Sequence, residues 1–142
     1  MKNYKDIPEK FRELVTNSKS LAIWPIEESP MTPSFQAGRY FQDQGWDIYP
    51  IHDTCERTLE VTCYRDIRLI PVDYDILYLF VDPDRLPVIV NEIFSADYIP
   101  PLVVSHEGII DLESRDRLTE GGVENVMDID LVAFYKWCIS EG

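Results

Sequence analysis

Glycine is scarce in this chain, six in 142 residues, and none falls between Leu21 and Pro33. That absence excludes the G-x-G-x-x-G fingerprint from the first loop, where it would normally bring backbone amides against a pyrophosphate. Basic residues are also few. Thirteen Lys and Arg face 26 Asp and Glu, for a net charge of −13. Nucleic acid is thereby excluded as a partner, because its phosphates demand neutralising cations. An anionic membrane surface is disfavoured for the same reason. The three cysteines, Cys55, Cys63 and Cys138, form no C-x-x-C pair and leave one unpaired. A disulfide scaffold is excluded, and a reduced, cytoplasmic protein is the expectation. Long hydrophobic runs are missing too. The longest, residues 76–81, is six residues, far short of a membrane span. The polar start, Met1 to Asp6, carries no signal-peptide apolar region. No internal repeat, low-complexity tract or Gly/Ser linker divides the chain.

What is present is a 45% apolar sequence with helix and strand patterns in alternation. One domain is expected over residues 1–142. A helix over about 7–18 has Pro8 in its first turn and Phe11, Leu14 and Val15 on one face. Residues 20–24 read as a strand, 35–44 as a helix opened by Pro33-Ser34 and stopped by Gly45, and 46–51 as a second strand. From 52 to 73 the pattern weakens to a loop, a short strand near Thr62-Cys63-Tyr64 and a helical turn near Asp66. Residues 75–81 are apolar after the first, as in a central strand covered on both faces. Asp82-Pro83-Asp84 should cap a helix to about Ala96, with Leu86, Ile89, Val90 and Ile93 on one face. A strand at 101–104, a helix at 111–120 ended by Gly121-Gly122, a short strand at 123–126 and a last helix at 128–138 complete the chain. Alternation of this kind predicts a doubly wound α/β fold: a mostly parallel five- or six-stranded sheet with helices on both faces, residues 76–81 central and 21–24 beside them.

Such a sheet binds ligands outside the carboxyl ends of its strands, where the winding reverses. Four loops should meet there: 25–34, 51–55, 82–85 and 105–108. The candidate cofactor-binding residues are Pro25, Ile26, Ser29, Thr32, Pro33, Ser34, His52, Asp53, Val81, Asp82, His106 and Gly108. Ser34 offers a hydroxyl and amides at a helix start, or merely caps it. Asp53, after the second strand, stands where an acidic residue holds a ribose in dinucleotide sites. His52 and His106, with Asp53, Cys55 and Glu107 near in sequence, lack the paired spacing of a metal site and read as surface histidines. No nucleophile accompanies them, and no catalytic or metal-binding residue is assigned. Cys55 and Cys63 read as buried, inert thiols. Tyr135 and Trp137 are expected to pack the last helix.

Several segments carry a resemblance. These are Pro33-Ser34 with Arg39-Tyr40-Phe41, Gln44-Gly45-Trp46-Asp47-Ile48-Tyr49-Pro50-Ile51, Asp75-Ile76-Leu77 with Val81, Leu86-Pro87-Val88-Ile89-Val90 and Glu124-Asn125-Val126-Met127-Asp128. From about Lys19 to Leu131 the chain resembles the small stand-alone CoA-binding proteins. Those are Rossmann-like domains similar to the CoA-binding domain of succinyl-CoA ligase. The resemblance implies a non-catalytic module for CoA or a related nucleotide. The chain departs from the family pattern where it has Pro25 for a glycine, Thr32 for an arginine, His52-Asp53 for Asn-Pro and Asp82 for an arginine. Ser34, Pro33 and Gly108 are retained. The departures imply a degenerate phosphate loop, to which Glu27 and Glu28 add like charge. They open the alternative of a diverged interaction or regulatory protein that has lost its ligand and serves a protein partner instead.

Overall fold

The computed structural model describes residues 3–141. Five parallel strands form one sheet: β1 (Ser20–Trp24), β2 (Asp47–Pro50), β5 (Ile76–Leu79), β6 (Leu102–Ser105) and β7 (Glu124–Val126), in the order β2-β1-β5-β6-β7. β5 is central and fully buried. Its register sets Leu21 against Ile76 on one side and Ile76 against Leu102 on the other.

Strand side chains alternate between faces, and that period divides the core in two. Leu21, Ile23, Ile76, Tyr78, Leu102 and Val104 face the first layer of helices. These are α1 (Glu9–Asn17), α2 (Pro33–Asp43) and α5 (Leu131–Glu141). Ala22, Leu77, Leu79 and Val103 face the other layer, α3 (Leu86–Ser95) and α4 (Leu112–Glu120). In the first layer Phe41 meets Trp46 at 4.5 Å and Tyr135 at 5.4 Å between ring centroids. Trp137 packs near Phe134 and Tyr4, so both C-terminal aromatics do serve the core.

Local chemistry explains the helix ends. Pro33 takes the first turn of α2, where no backbone N–H is needed. Gly45, at φ +89°, closes it, with Gly45 N–H donating to the Gln42 carbonyl and Trp46 N–H to that of Phe41. Asp111 caps α4, its carboxylate accepting from Ser114 N–H at 3.0 Å.

Four details differ from expectation. The carboxylate of Asp82 caps nothing; a 3₁₀ turn at Pro83–Arg85 precedes α3 instead. Trp46 leaves the second strand to pack on Phe41. Asp128 adopts φ +62°, a turn conformation, so the last helix starts only at Leu131. Finally, the weak region holds an antiparallel hairpin, β3 (Arg57–Thr58) and β4 (Val61–Thr62). Its turn residues Leu59 and Glu60 sit at φ 53° and 64°. That is turn geometry normally signalled by Asn-Gly, and the signal is absent here. The structure compensates locally. Leu59 is buried, Gln42 donates to its carbonyl at 2.7 Å, and Arg57 donates to the carbonyl of Glu60 at 2.6 Å. Gly38 makes room, since a Cβ there would fall 2.7 Å from the Leu59 side chain.

Candidate functional site

The strand order reverses between β1 and β5. A cleft of about 380 Å³ opens at their carboxyl ends, lined by Trp24, Pro25, Glu27, His52, Asp53, Phe80, Val81, Asp82 and Arg85. Five of the twelve candidate residues meet here: Pro25, His52, Asp53, Val81 and Asp82. Its charge is set by three carboxylates, Glu27, Asp53 and Asp82, against the one guanidinium of Arg85. Glu28, expected to repel a phosphate, is not part of this lining; its charge acts on Cys63.

His52 shapes the lip of this cleft. Its Nδ1 accepts from Thr54 N–H and Cys55 N–H, both at 3.0 Å, which folds residues 52–55 back on themselves. Arg65 fastens the same turn by donating to the Asp53 carbonyl at 2.9 Å.

A second cleft, about 490 Å³, lies between the start of α2 and the start of α5. Pro33 and His106 line it, with Gln36, Tyr40, Tyr78, Glu107, Asp130 and Lys136. Phe80, on the wall of the first cleft, stacks on His106 of the second at 4.6 Å, so this ring pair forms the ridge between them. His106 is not a free surface histidine. Its Nδ1 pairs with the Tyr78 hydroxyl at 2.5 Å. That hydroxyl also accepts from Leu131 N–H at 3.0 Å, tying β5 to the start of α5. Burial lowers the pKa of His106, with Asp130 and Glu107 pulling the other way. The imidazole is thereby held toward its neutral form, and its tautomer sets which of Nδ1 and the Tyr78 hydroxyl donates; the hydroxyl also lies 3.5 Å from the Ile129 carbonyl. Burial raises the pKa of the Tyr78 phenol, which stays protonated.

The remaining candidates are structural in their contacts. Ile26 is wholly buried and its N–H donates to the Ile51 carbonyl at 2.9 Å, so it lies beneath the crevice and its side chain cannot touch a ligand. Ser34 is also buried, and its hydroxyl does not cap α2. It accepts from Glu27 N–H at 2.9 Å and pins the first loop to the helix. The Ser29 carbonyl accepts from both the N–H and the hydroxyl of Thr32, at 3.1 and 2.7 Å, a turn internal to the loop. Gly108, at φ +83°, donates to the Asp128 carboxylate at 2.7 Å and joins the loops after β6 and β7. At the head of α2 no side chain caps the helix. The amides of Ser34 and Phe35 have no acceptor among the described residues.

Tyr78 escaped sequence reasoning because a tyrosine inside an apolar run looks like any core residue. Arg85 ends the 82–85 loop expected at the crevice and Phe80 lies just before it, yet neither is among the candidate residues.

A parallel sheet in this order, with its crevice at the β1/β5 reversal, defines a Rossmann-like ligand-binding domain. The chain belongs to the CoA binding domain family, whose model matches residues 19–130. It is 25% identical to the uncharacterized protein YneT of Bacillus subtilis over 120 residues, covering 84% of this chain and 87% of that one. Solved structures share the fold. A hypothetical protein from Pyrococcus horikoshii superposes with a TM-score of 0.87 at 20% identity, over 99% of this chain and 98% of that one. A Thermus thermophilus protein gives 0.85 at 22% identity, over 96% and 99%. Among the described residues no helix is long and apolar enough to cross a membrane. No group of three or more His, Cys, Asp or Glu there could hold a metal ion.

Proposed function

We propose that this protein is a non-catalytic module that binds CoA or a related nucleotide weakly, through a degenerate phosphate loop. The observation that carries this reading is the uncapped head of α2. Two amides, of Ser34 and Phe35, have no acceptor among the described residues at the head of the helix that follows β1, in a chain of the CoA-binding family. A helix N-terminus contributes about 0.3–1 kcal/mol toward an anion. Arg85 adds the one cation of the first cleft, and the carboxylate of Asp53 suits a ribose hydroxyl.

Weakness follows from the same lining. Pro25 has no N–H to offer where the family pattern has glycine. The carboxylates of Glu27, Asp53 and Asp82 each oppose a phosphate by about 1 kcal/mol at 4 Å in water, and more in a cleft. The non-catalytic reading is supported by the engagement of His106 Nδ1 with the Tyr78 hydroxyl, which also accepts from the Leu131 N–H. Titration calorimetry with CoA at physiological salt should give a dissociation constant weaker than about 10 μM. A nanomolar constant would refute the degenerate-loop reading. Absence of heat up to millimolar CoA would favour the second reading, an interaction or regulatory protein. That alternative draws its support from the three carboxylates in the cleft.

A further inference from the structure

Cys55 and Cys63 are eight residues apart and stand at the open end of the β3–β4 hairpin. Cys63 N–H donates to the Glu56 carbonyl at 3.0 Å, which extends the ladder beyond the Arg57–Thr62 pair. The two sulfurs are thereby brought to 2.9 Å. Cys63 S–H donates to the sulfur of Cys55, and Cys55 S–H donates to the Arg57 carbonyl at 3.3 Å. Both residues are buried, with 5% and 8% exposure. Cys138, on α5, makes no sulfur contact among the described residues; its charged neighbours are Arg12 and Glu9 of α1.

Packing holds this arrangement in place. The hairpin tip is anchored under α2 by Leu59 against Gly38, and its carbonyls are satisfied by Gln42 and Arg57. On the other side, Cys55 N–H donates to His52 Nδ1. A disulfide needs its sulfurs at about 2.05 Å, so the pair must close by only about 0.9 Å. Burial pushes the Cys63 thiol up to about 12, and the neighbouring Cys55 adds to the effect.

We infer that Cys55 and Cys63 form an oxidation-sensitive dithiol, converted to an intramolecular disulfide that fastens the hairpin to the His52–Asp53 lip of the first cleft. The oxidant is hydrogen peroxide, a molecule small enough for sites this buried. The sulfur of Cys55, as thiolate, attacks a peroxide oxygen, since burial keeps Cys63 protonated; the O–O bond breaks, and the departing hydroxide takes up the proton that Cys55 released and leaves as water. The second sulfur attacks the resulting sulfenic acid. An S–S bond forms, the S–O bond breaks, and hydroxide leaves with the second thiol's proton as a second water. Two thiols and one peroxide thus give one disulfide and two waters. Each sulfur loses one electron, and the two peroxide oxygens are reduced. The rate rises with pH, because the thiolate is the attacking form.

The test uses the full chain, natively folded, treated with a small excess of hydrogen peroxide, quenched, denatured and alkylated. Alkylatable thiols should fall from the three of the sequence to one, with Cys55 and Cys63 linked in the peptide map. Dithiothreitol should restore all three. Cys138→Ser should leave the link intact, and Cys55→Ser should abolish it. If Cys55→Ser does not fold, the peptide map of the unsubstituted protein decides alone. Three alkylatable thiols after treatment, a disulfide that includes Cys138, or a sulfinic acid without the link would each overturn the inference.

Discussion

Replacing Ser34 by alanine separates two roles that one residue can play at a helix start. In the structure its hydroxyl accepts the Glu27 N–H at 2.9 Å, and the side chain is 2% exposed. Ser34→Ala removes one oxygen and changes little else in shape. The amide of Glu27 then loses its acceptor, which costs about 1–3 kcal/mol if water cannot reach it. Alanine returns about 0.5 kcal/mol as the better helix former. The net expectation is a loss of about 0.5–2.5 kcal/mol. Urea unfolding reads this directly. With an m-value of about 2 kcal/mol/M, a loss of about 1.5 kcal/mol lowers the midpoint by roughly 0.7 M. The m-value itself should not move, because the folded state remains as compact. An unchanged or higher midpoint would refute the reasoning. Ser34 would then be a helix residue whose bond to the loop contributes nothing net, and the position of Glu27 in the first cleft would need another cause.

Two further outcomes are expected. Tyr78→Phe strips the buried Leu131 N–H of its acceptor and His106 Nδ1 of its partner, and should destabilise the fold by about 1–3 kcal/mol in the same urea assay. A loss below about 0.5 kcal/mol would show that water replaces the hydroxyl. For His106, burial holds the folded-state pKa below the ordinary 6.5, so the unfolded chain binds the proton more readily. Its share of stability is complete above 6.5 and is lost as pH falls from there through the folded value. NMR titration of the His106 ring should therefore place its midpoint below 6.5, and a midpoint above that value would reverse the sign.

The fold was legible because its signals are collective. Residues 76–81 could be placed at the centre because an unbroken apolar run suits only a strand covered twice, and β5 is buried at every position. The crevice followed from topology, and Pro25, His52, Asp53, Val81 and Asp82 line it. Individual polar atoms were not legible. Whether Ser34 meets a ligand or the Glu27 amide depends on how the first loop folds, and no pattern in the loop encodes that. Ile26 looked like a loop residue, but tertiary packing drew it wholly inside. The hairpin was hidden because Leu59 and Glu60 adopt a turn that their side chains disfavour, made good by partners as distant as Gln42. The Cys55–Cys63 contact was hidden with it, since eight residues of separation mean nothing until the strands between them pair.

The hairpin also determines how copies of this molecule can meet. A parallel sheet left open at its sides offers rows of unpaired amides and carbonyls to any passing strand. Here the end of the outer side of β2 is covered by one bridge, Ile51 to Tyr64. Tyr64, just past β4, donates its N–H to the Pro50 carbonyl at 2.8 Å and accepts from His52 N–H at 2.9 Å. Pro50 itself has no N–H to offer. The opposite border, β7, is only three residues long and carries Glu124 and Asn125, too short and too polar a template for strand addition. With one border partly shielded and the other blunted, self-association through a continuous sheet is disfavoured. Contacts between copies are then expected to involve helices or loops, which would guard a domain whose central strand is as apolar as β5 against aggregation.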